Sequence, residues 1–136
     1  MLRYMLDTNI CIYVIKNKPD YIRQKFNDNK DGLCISSVTL AELYYGAEKS
    51  AKTAQNIQII ESFVARLTIL NFDDKAAWHY GEIRAELERK GGIIGPYDLM
   101  IAGHARCRGV TLVSNNLREF DRVPGLRTDN WIEAPD

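Results

Sequence analysis

The sequence has no excess of charge of either sign. Its 18 lysine and arginine residues balance 18 aspartate and glutamate residues, so the formal net charge at pH 7 is zero. A chain with this balance has no strong overall field that would draw it to a polyanion. Any binding of nucleic acid must therefore depend on a local cluster of cationic side chains.

Metal sites built from cysteine and histidine are also missing. The three cysteines, Cys11, Cys34 and Cys107, are widely spaced and form no Cys-x-x-Cys pair. This pattern is typical of reduced core thiols and argues against a zinc site or a disulfide framework. The two histidines show no partner arrangement, which argues against a ribonuclease mechanism that uses two imidazoles. The helical pattern places His79 on a solvated face and favours a structural role for His104.

Long apolar runs are absent as well. Residues 1–15 imitate a signal peptide, but Asp7, Thr8 and Asn9 interrupt the apolar run after about five residues, which is too short for such a signal. No run approaches the roughly 20 residues that a membrane-spanning helix needs. With 46% apolar residues, the sequence predicts one soluble, cytoplasmic domain that covers residues 1–136.

Short β-like runs alternate with longer helical patterns along the chain. This alternation predicts an α/β fold, with a largely parallel sheet, helices on both faces and ligands bound beyond the carboxyl ends of the strands. The predicted strands are residues 2–6, 33–35, 67–70, 110–113 and 125–127. The predicted helices are residues 9–16, 20–29, 38–49, 54–65, 75–90 and 97–108.

Asp7 follows the first predicted strand and precedes the first predicted helix. One interpretation is helix capping, because Asp7, Thr8 and Asn9 can all accept hydrogen bonds from free helix N–H groups. The other is chemical, because an α/β fold places its functional groups where parallel strands end. The residues alone leave both interpretations open.

Asp98 lies two residues after Pro96, in the first turn of a predicted helix. It could simply complement the helix dipole there. However, Ile101, Ala102 and Ala105 share its helical face, and an ionised carboxylate on a small apolar face needs a partner. This neighbourhood favours a functional role for Asp98.

Glu42 is a third acidic residue near the start of a predicted helix. The apolar stripe of that helix, which includes Leu43 and Ala47, faces away from Glu42, so the pattern favours a solvated glutamate. Val38 and Tyr45 lie on the same side as Glu42 at helical spacing and give that side some apolar character. A position in the wall of a cleft therefore remains open.

Convergence of three carboxylates would carry a large electrostatic cost. At about 5 Å and an effective dielectric constant near 20, each like-charged pair costs roughly 3 kcal/mol, so three pairs approach the whole stability of a small domain. Such a cluster needs a cation or a shared proton. Oxygen ligands suit Mg²⁺ or Mn²⁺, which would polarise a phosphodiester and activate a water molecule.

Four segments in this order carry a resemblance to a known family: MLDTN at 5–9, SVTLAEL at 37–43, GPYDLMIA at 95–102 and LVSNN at 112–116, followed by Phe120. The chain resembles PIN-domain ribonucleases and, more narrowly, VapC toxins of bacterial VapBC toxin–antitoxin systems. The resemblance implies a doubly wound parallel sheet of about five strands and Mg²⁺- or Mn²⁺-dependent endoribonuclease activity, with transfer RNA as the expected substrate. It also implies a homodimer that a VapB-like antitoxin inhibits by inserting into the active-site groove.

The resemblance assigns Asp7, Glu42 and Asp98 to the acidic metal and catalytic site. The fourth position departs from the family, since many members have a Thr-x-Asp motif where residues 114–116 here are Ser-Asn-Asn. Either Glu119, one helical turn later, supplies the fourth carboxylate, or Asn116 is a neutral ligand and a second metal is weakly held.

Two further polar residues are candidates for that fourth position or for orienting a ligand. Ser114 fits a role in orienting water or a carboxylate, and Asn9 lies two residues beyond the first aspartate. For Ser114 and Asn116 the alternative interpretation is a turn or helix cap.

Substrate and partner contacts are harder to assign. Tyr44, Tyr45, Ile57 and Ile60 are candidates for a dimer or antitoxin surface, with core packing as the alternative. Several cationic residues could neutralise RNA phosphates, and most of them are expected to be ordinary surface charges. These candidates are Arg84, Arg89, Lys90, Arg106, Arg108 and Arg118.

Two other functional classes fit parts of the pattern. A phosphatase of the haloacid-dehalogenase type also has an aspartate after its first strand, but it needs a second aspartate two positions later, where this chain has Asn9. A non-catalytic binding module is the other alternative, because the neutral Asn116 could mark an impaired metal site.

Overall fold

The chain folds as an alternation of strands and helices in a computed structural model that describes residues 1–132. The strands are β1 (Tyr4–Leu6), β2 (Leu33–Ser36), β3 (Thr68–Leu70), β4 (Thr111–Val113) and β5 (Thr128–Asp129). The helices are α1 (Thr8–Lys16), α2 (Ile22–Asp28), α3 (Ser37–Glu48), α4 (Thr53–Val64), α5 (Asp74–Lys90), α6 (Pro96–Arg108) and α7 (Leu117–Phe120), with a 3₁₀ turn at Lys30–Gly32.

The strands form one sheet in the order β3-β2-β1-β4-β5, and every neighbouring pair is parallel. The chain winds outward from β1 to β3, and then crosses through α5 and α6 to β4 on the other side of β1. The carboxyl ends of β1 and β4 therefore flank the point where the winding direction reverses. Ligands of such sheets bind at this point, and Asp7 and Ser114 directly follow these two strands.

Both faces of the sheet are covered, which confirms the doubly wound α/β prediction. Successive strand residues point to opposite faces, and Met5 accordingly packs with the α5 and α6 side chains while Leu6 packs with α1 to α4. Leu112 and Val113 divide between the same two clusters. Within residues 1–132, no helix has the length and apolar character that crossing a membrane requires.

Most predicted elements are confirmed with shifts of one or two residues at their ends. The strand predicted at residues 125–127 is wrong, because Gly125 adopts a positive φ of 76° in a turn and the strand forms at Thr128–Asp129, where Thr128 pairs with Leu112. The short helix α7, just after the Ser-Asn-Asn segment, was not predicted. Four residues carry too little periodicity to reveal a helix.

Helices α5 and α6 approach each other closely at Gly103. A Cβ atom added there would lie 2.8 Å from the backbone nitrogen and 3.1 Å from the Cα of Tyr80. The missing side chain therefore lets α6 pack directly on the backbone of α5, which positions the helix whose first turn contains Asp98.

We expect Gly103→Ala to destabilise the protein by about 1–3 kcal/mol, because the new methyl group meets backbone that cannot move alone. Chemical denaturation followed by circular dichroism measures this change. Gly81→Ala is the matched control, since Gly81 is exposed on α5 and its added methyl meets nothing within 4 Å. The control should gain about 0.5–1 kcal/mol from helix propensity. Equal effects of the two substitutions would contradict the close approach.

Candidate active site

Asp7 lies at the end of β1 and is the N-cap of α1. Its Oδ1 accepts a hydrogen bond of 2.9 Å from the Ile10 backbone N–H, and its backbone N–H donates to the Val113 carbonyl. Burial raises the pKa of Asp7, the nearby Glu42 raises it further, and a hydrogen bond from the Ser114 side chain lowers it. Capping uses one oxygen, so the capping and chemical interpretations of Asp7 are compatible.

Asp98 lies in the first turn of α6, two residues after Pro96. Its pKa rises from 3.8 to about 6, chiefly because of burial and then because of the negative charges of Asp7, Glu119 and Glu42. The structure thus brings four carboxylates from four distant segments into one electrostatic cluster. We call Asp7, Glu42, Asp98 and Glu119 the acidic cluster.

Glu42 is half-buried on α3, where the sequence pattern favoured a solvated position. The Thr8 hydroxyl donates a hydrogen bond of 2.6 Å to Glu42 Oε1. This contact links the first residue of α1 to the acidic side chain of α3. Sequence analysis treated Thr8 only as a capping candidate. Thr8 and Glu42 are 34 residues apart, and no local sequence pattern predicts a hydrogen bond between them.

The Ser-Asn-Asn segment forms the turn between β4 and α7. The fully buried Ser114 accepts a hydrogen bond of 2.9 Å from the Asn116 N–H and also contacts Asp7. Asn115 Nδ2 donates to the Tyr13 hydroxyl at 3.0 Å. Ser114 therefore makes the contacts that both interpretations of it require. Asn116 occupies the N-cap position of α7 without a capping hydrogen bond to its side chain from the described residues, and Asn9 is exposed on α1.

The acidic cluster has the donor chemistry of a site for a hard divalent cation. Within residues 1–132, no three acidic, histidine or cysteine side chains are arranged tightly enough to hold a metal ion by themselves. Mg²⁺ does not require such a cage, because it usually keeps several waters and takes one or two protein carboxylates. Burial is the main cause of the raised pKa of Asp98, and the negative charges of the other three carboxylates raise it further. A cation bound among them would relieve that repulsion.

Two cavities meet at Glu42. One, of about 830 Å³, lies between α3 and α6 and is lined by Thr8, Tyr45 and Lys49 among others. The other, of about 460 Å³, lies between α1, α3 and α4 and includes Lys16. Each cavity therefore contains one lysine as well as Glu42, and the sequence analysis named neither lysine.

The basic residues proposed to contact RNA are only partly available. Arg106 is wrong as a candidate, because it donates to His79 Nδ1 at 2.9 Å and to the Pro124 carbonyl, and it pairs with Glu82. The same contacts correct the solvated position predicted for His79, which is half-buried against α6. Exposed ion pairs engage two more candidates, Arg84 with Glu88 and Lys90 with Glu86, whereas Arg89, Arg108 and Arg118 are exposed.

The four apolar candidates for an interface separate into two groups. Ile60 is buried, and Tyr44 and Ile57 pack against the same core cluster, so core packing accounts for them. Tyr45 is 65% exposed, with the Lys49 ammonium 4.9 Å from the centre of its ring. Of these four residues, Tyr45 is the one whose side chain is largely exposed, and Ile60 also lines the cavity between α1, α3 and α4.

Comparison with known proteins gives one family for this chain. Residues 4–126 match the PIN domain. The chain is 58% identical over 131 residues to the "tRNA(fMet)-specific endonuclease VapC" of Salmonella typhimurium, covering 96% of this chain and 99% of that protein. It is also 58% identical over 132 residues to "Ribonuclease VapC2" of Haemophilus influenzae, covering 97% of this chain and 100% of the relative.

Solved structures give the same result. The chain superposes on a chain of the DNA-bound VapBC structure from Salmonella typhimurium with a TM-score of 0.93 and 57% identity, covering 97% of this chain and 100% of that one. The DNA-bound VapBC2 structure from Rickettsia felis matches with a TM-score of 0.91 and 46% identity, over 96% of this chain and 100% of that one.

The raised pKa of Asp98 predicts the effect of removing its charge. An acid whose pKa is raised on folding destabilises the protein above that pKa, and the penalty fades as the pH falls toward the unfolded value. We therefore expect Asp98→Asn to stabilise the cation-free protein at pH 7.5 by on the order of 1 kcal/mol, after discounting for partial exposure.

Thermal unfolding in chelator should show a melting temperature about 3–5 °C above wild type at pH 7.5 and little difference at pH 4.5. Asp20→Asn, which neutralises an exposed aspartate between α1 and α2, is the control and should change little. A lower melting temperature for Asp98→Asn at both pH values would contradict the repulsion.

Proposed function

This chain belongs to the PIN-domain family and, within it, to the VapC ribonucleases, and from that membership we propose that it is the metal-dependent endoribonuclease toxin of a toxin–antitoxin pair. The observation that carries the proposal is the acidic cluster, assembled where the winding direction of the sheet reverses. Ligands of doubly wound sheets bind at this edge of the sheet, and clustered carboxylates there are suited to bind a cation that in turn contacts a phosphate.

The substrate we propose is initiator transfer RNA, cut in a single-stranded loop. Two relatives at 58% and 60% identity carry the name tRNA(fMet)-specific endonuclease, and both match this chain over 96% of its length. Bases and phosphates of a loop are accessible without unpairing a helix. Lys16 and Lys49, in the two cavities beside Glu42, are suited to neutralise phosphates on either side of the cut.

In the proposed site, Asp7, Glu42 and Asp98 would hold Mg²⁺ or Mn²⁺, in part through the water molecules that such an ion keeps, and Glu119 would be the fourth carboxylate. Such a cation supplies charge neutralisation for the phosphate and makes water more acidic. Thr8 orients Glu42 through its 2.6 Å hydrogen bond, and Ser114 orients Asp7. The electrostatic effect of Glu119 on Asp98 favours Glu119 over Asn116 for the fourth position.

The proposed reaction is hydrolysis of one phosphodiester bond. The oxygen of a water molecule bonds to phosphorus, the bond from phosphorus to the 3′ oxygen breaks, and the leaving oxygen takes a proton from solvent. A carboxylate of the acidic cluster would accept the proton that water loses. The products are a 5′-phosphate and a 3′-hydroxyl end.

We propose a homodimer as the toxin's own assembly and a VapB-like antitoxin as its inhibitor. The chain matches the structures of DNA-bound VapBC from Salmonella typhimurium and of VapBC2 from Rickettsia felis bound to a promoter DNA fragment, which supports a VapB-like partner. The mostly apolar cavity beside Glu42, between α1, α3 and α4, is a suitable groove for an inserted antitoxin segment. Because its proposed substrate is transfer RNA, the toxin would act in the cytoplasm.

Asp7→Asn tests the site directly. The amide keeps the capping oxygen but loses the charge, so we expect cleavage of an initiator transfer RNA transcript to fall at least about 100-fold, as when a principal electrostatic group is lost. Cleavage by antitoxin-free protein is measured with Mg²⁺, Mn²⁺ or chelator, and the cut ends are mapped. Folding and binding of the co-expressed antitoxin should survive.

Asp20→Asn and an elongator methionine transfer RNA are the controls for this experiment. The Asp20 variant should cleave like wild type, and the elongator should be cut more slowly than the initiator. Full activity of a clean Asp7→Asn preparation would reject the assigned site. A folded, metal-loaded wild type that cuts no transfer RNA would instead favour the binding-module alternative.

The pKa of Asp98 also predicts a link between pH and cation requirement. A proton and a cation compete for the same carboxylate, and Asp98 titrates near pH 6 without a cation. At limiting Mg²⁺, cleavage should therefore decline as the pH falls below about 6, and the Mg²⁺ concentration for half-maximal rate should rise up to about tenfold per pH unit. Saturating Mg²⁺ should move the decline to lower pH. A midpoint independent of Mg²⁺ would contradict this competition.

A further inference from the structure

A buried hydrogen bond joins the two helices that carry Glu42 and Asp98. His104 lies in the middle of α6 with 1% of its surface exposed, and its Nδ1 is 2.8 Å from the hydroxyl oxygen of Ser36. Ser36 is fully buried as well. The two residues are 68 positions apart in the chain, so only the tertiary fold brings them together.

Ser36 is a junction between the sheet and α3. It is the last residue of β2, pairs with Leu70 of β3, and accepts a hydrogen bond of 3.1 Å from the Val38 N–H as the N-cap of α3. The same hydroxyl therefore caps the helix that carries Glu42 and bonds to His104. Since a hydroxyl offers one donor and two acceptor positions, both bonds can form at once.

His104 is placed to fix α6 against this junction. Asp98 precedes His104 by six residues on α6, and Glu42 follows Ser36 by six residues, counting Ser36 as the cap of α3. A helix is rigid over such a length, because each residue is held by backbone hydrogen bonds. The hydrogen bond between His104 and Ser36 therefore connects two rigid helical segments, one carrying Asp98 and the other carrying Glu42.

The surroundings of His104 favour a neutral imidazole with a fixed orientation. Phe72 packs edge-on against the ring at 5.6 Å between ring centres, and burial lowers the pKa of His104. Within residues 1–132, its Nε2 makes no hydrogen bond, so Ser36 provides the ring's one polar contact. The Phe72 backbone N–H in turn donates to the Ser37 hydroxyl at 3.0 Å. This bond holds Phe72, and with it the aromatic contact to His104, against the first residue of α3.

We propose that His104 is a positioning residue for the acidic cluster, acting through Ser36 to set where α6 presents Asp98 relative to Glu42 on α3. The role rests on the proposed function, because it concerns the cation affinity of that site. His104 touches neither substrate nor cation. Replacing a residue that hydrogen-bonds a metal ligand commonly alters metal affinity or activity by 10- to 100-fold. His104 acts one step further away, through the position of a helix, so we expect an effect at the lower end of that range.

The test compares two substitutions that differ only in this bond. Asparagine places a polar atom where Nδ1 lies and can bond to Ser36, whereas leucine fills similar space without a polar atom. Melting temperature is recorded against Mn²⁺ concentration, which reports cation affinity without RNA. We expect His104→Leu to weaken apparent Mn²⁺ affinity about tenfold and His104→Asn to stay within about threefold of wild type. For cleavage, kcat should fall in His104→Leu while KM stays within about twofold.

Ser36→Ala removes the same bond from the other side, and with it the side-chain cap of α3. It should weaken Mn²⁺ affinity at least as much as His104→Leu. The double variant should lose little more than Ser36→Ala alone, because the two substitutions share the bond between His104 and Ser36. This variant also keeps the proposal testable if His104→Leu does not fold.

Three results would overturn the proposal. Equal Mn²⁺ affinity in wild type and all variants, with only the cation-free melting temperature changed, would show a purely structural role. Equal losses in His104→Asn and His104→Leu would show that the hydrogen bond is not what matters. The third result concerns the wild type: a melting temperature that does not change with Mn²⁺ concentration, together with cleavage that persists in chelator. It would overturn this role and also the metal site on which the role rests.

Discussion

Repulsion among the carboxylates of the acidic cluster is the constraint on which the site depends. Asp7, Glu42, Asp98 and Glu119 come from four segments and share one edge of the sheet, and the pKa of Asp98 rises to about 6 because of burial and the other three charges. The fold holds this arrangement through strong packing elsewhere, including the close contact at Gly103 between α5 and α6. Ionisable groups whose pKa is shifted by burial and by neighbouring charges are typical of functional sites. A bound cation would reduce the repulsion among these carboxylates.

The surrounding hydrogen bonds give each carboxylate a defined direction. Asp7 is held by the Ile10 N–H and by Ser114, and Glu42 is held by Thr8. These donors also belong to helix starts and turns, so local structure and site geometry share the same atoms. Preorganisation of this kind removes the need to order the groups when a substrate binds.

Sequence reasoning succeeded where a local pattern carries the information and failed where a distant contact decides. The alternation of strands and helices was enough to predict the parallel sheet. The apolar neighbours of Asp98 on its helix were enough to single it out as a candidate functional residue. Glu42 was predicted to be solvated, because the apolar pattern of α3 carries no information about the Thr8 hydroxyl, which lies 34 residues away in the chain. Arg106 appeared free, because its partners His79 and Glu82 lie on another helix.

The sequence by itself determined the fold class, the family and the residue types available for chemistry, because periodicity, capping and motif order are written locally along the chain. Tertiary structure alone decided which of those residues meet, how strongly they repel one another, and that His104 and Ser36 join the helices of Asp98 and Glu42. The physical reason is that burial and electrostatic coupling depend on distances between segments, which local sequence patterns do not specify.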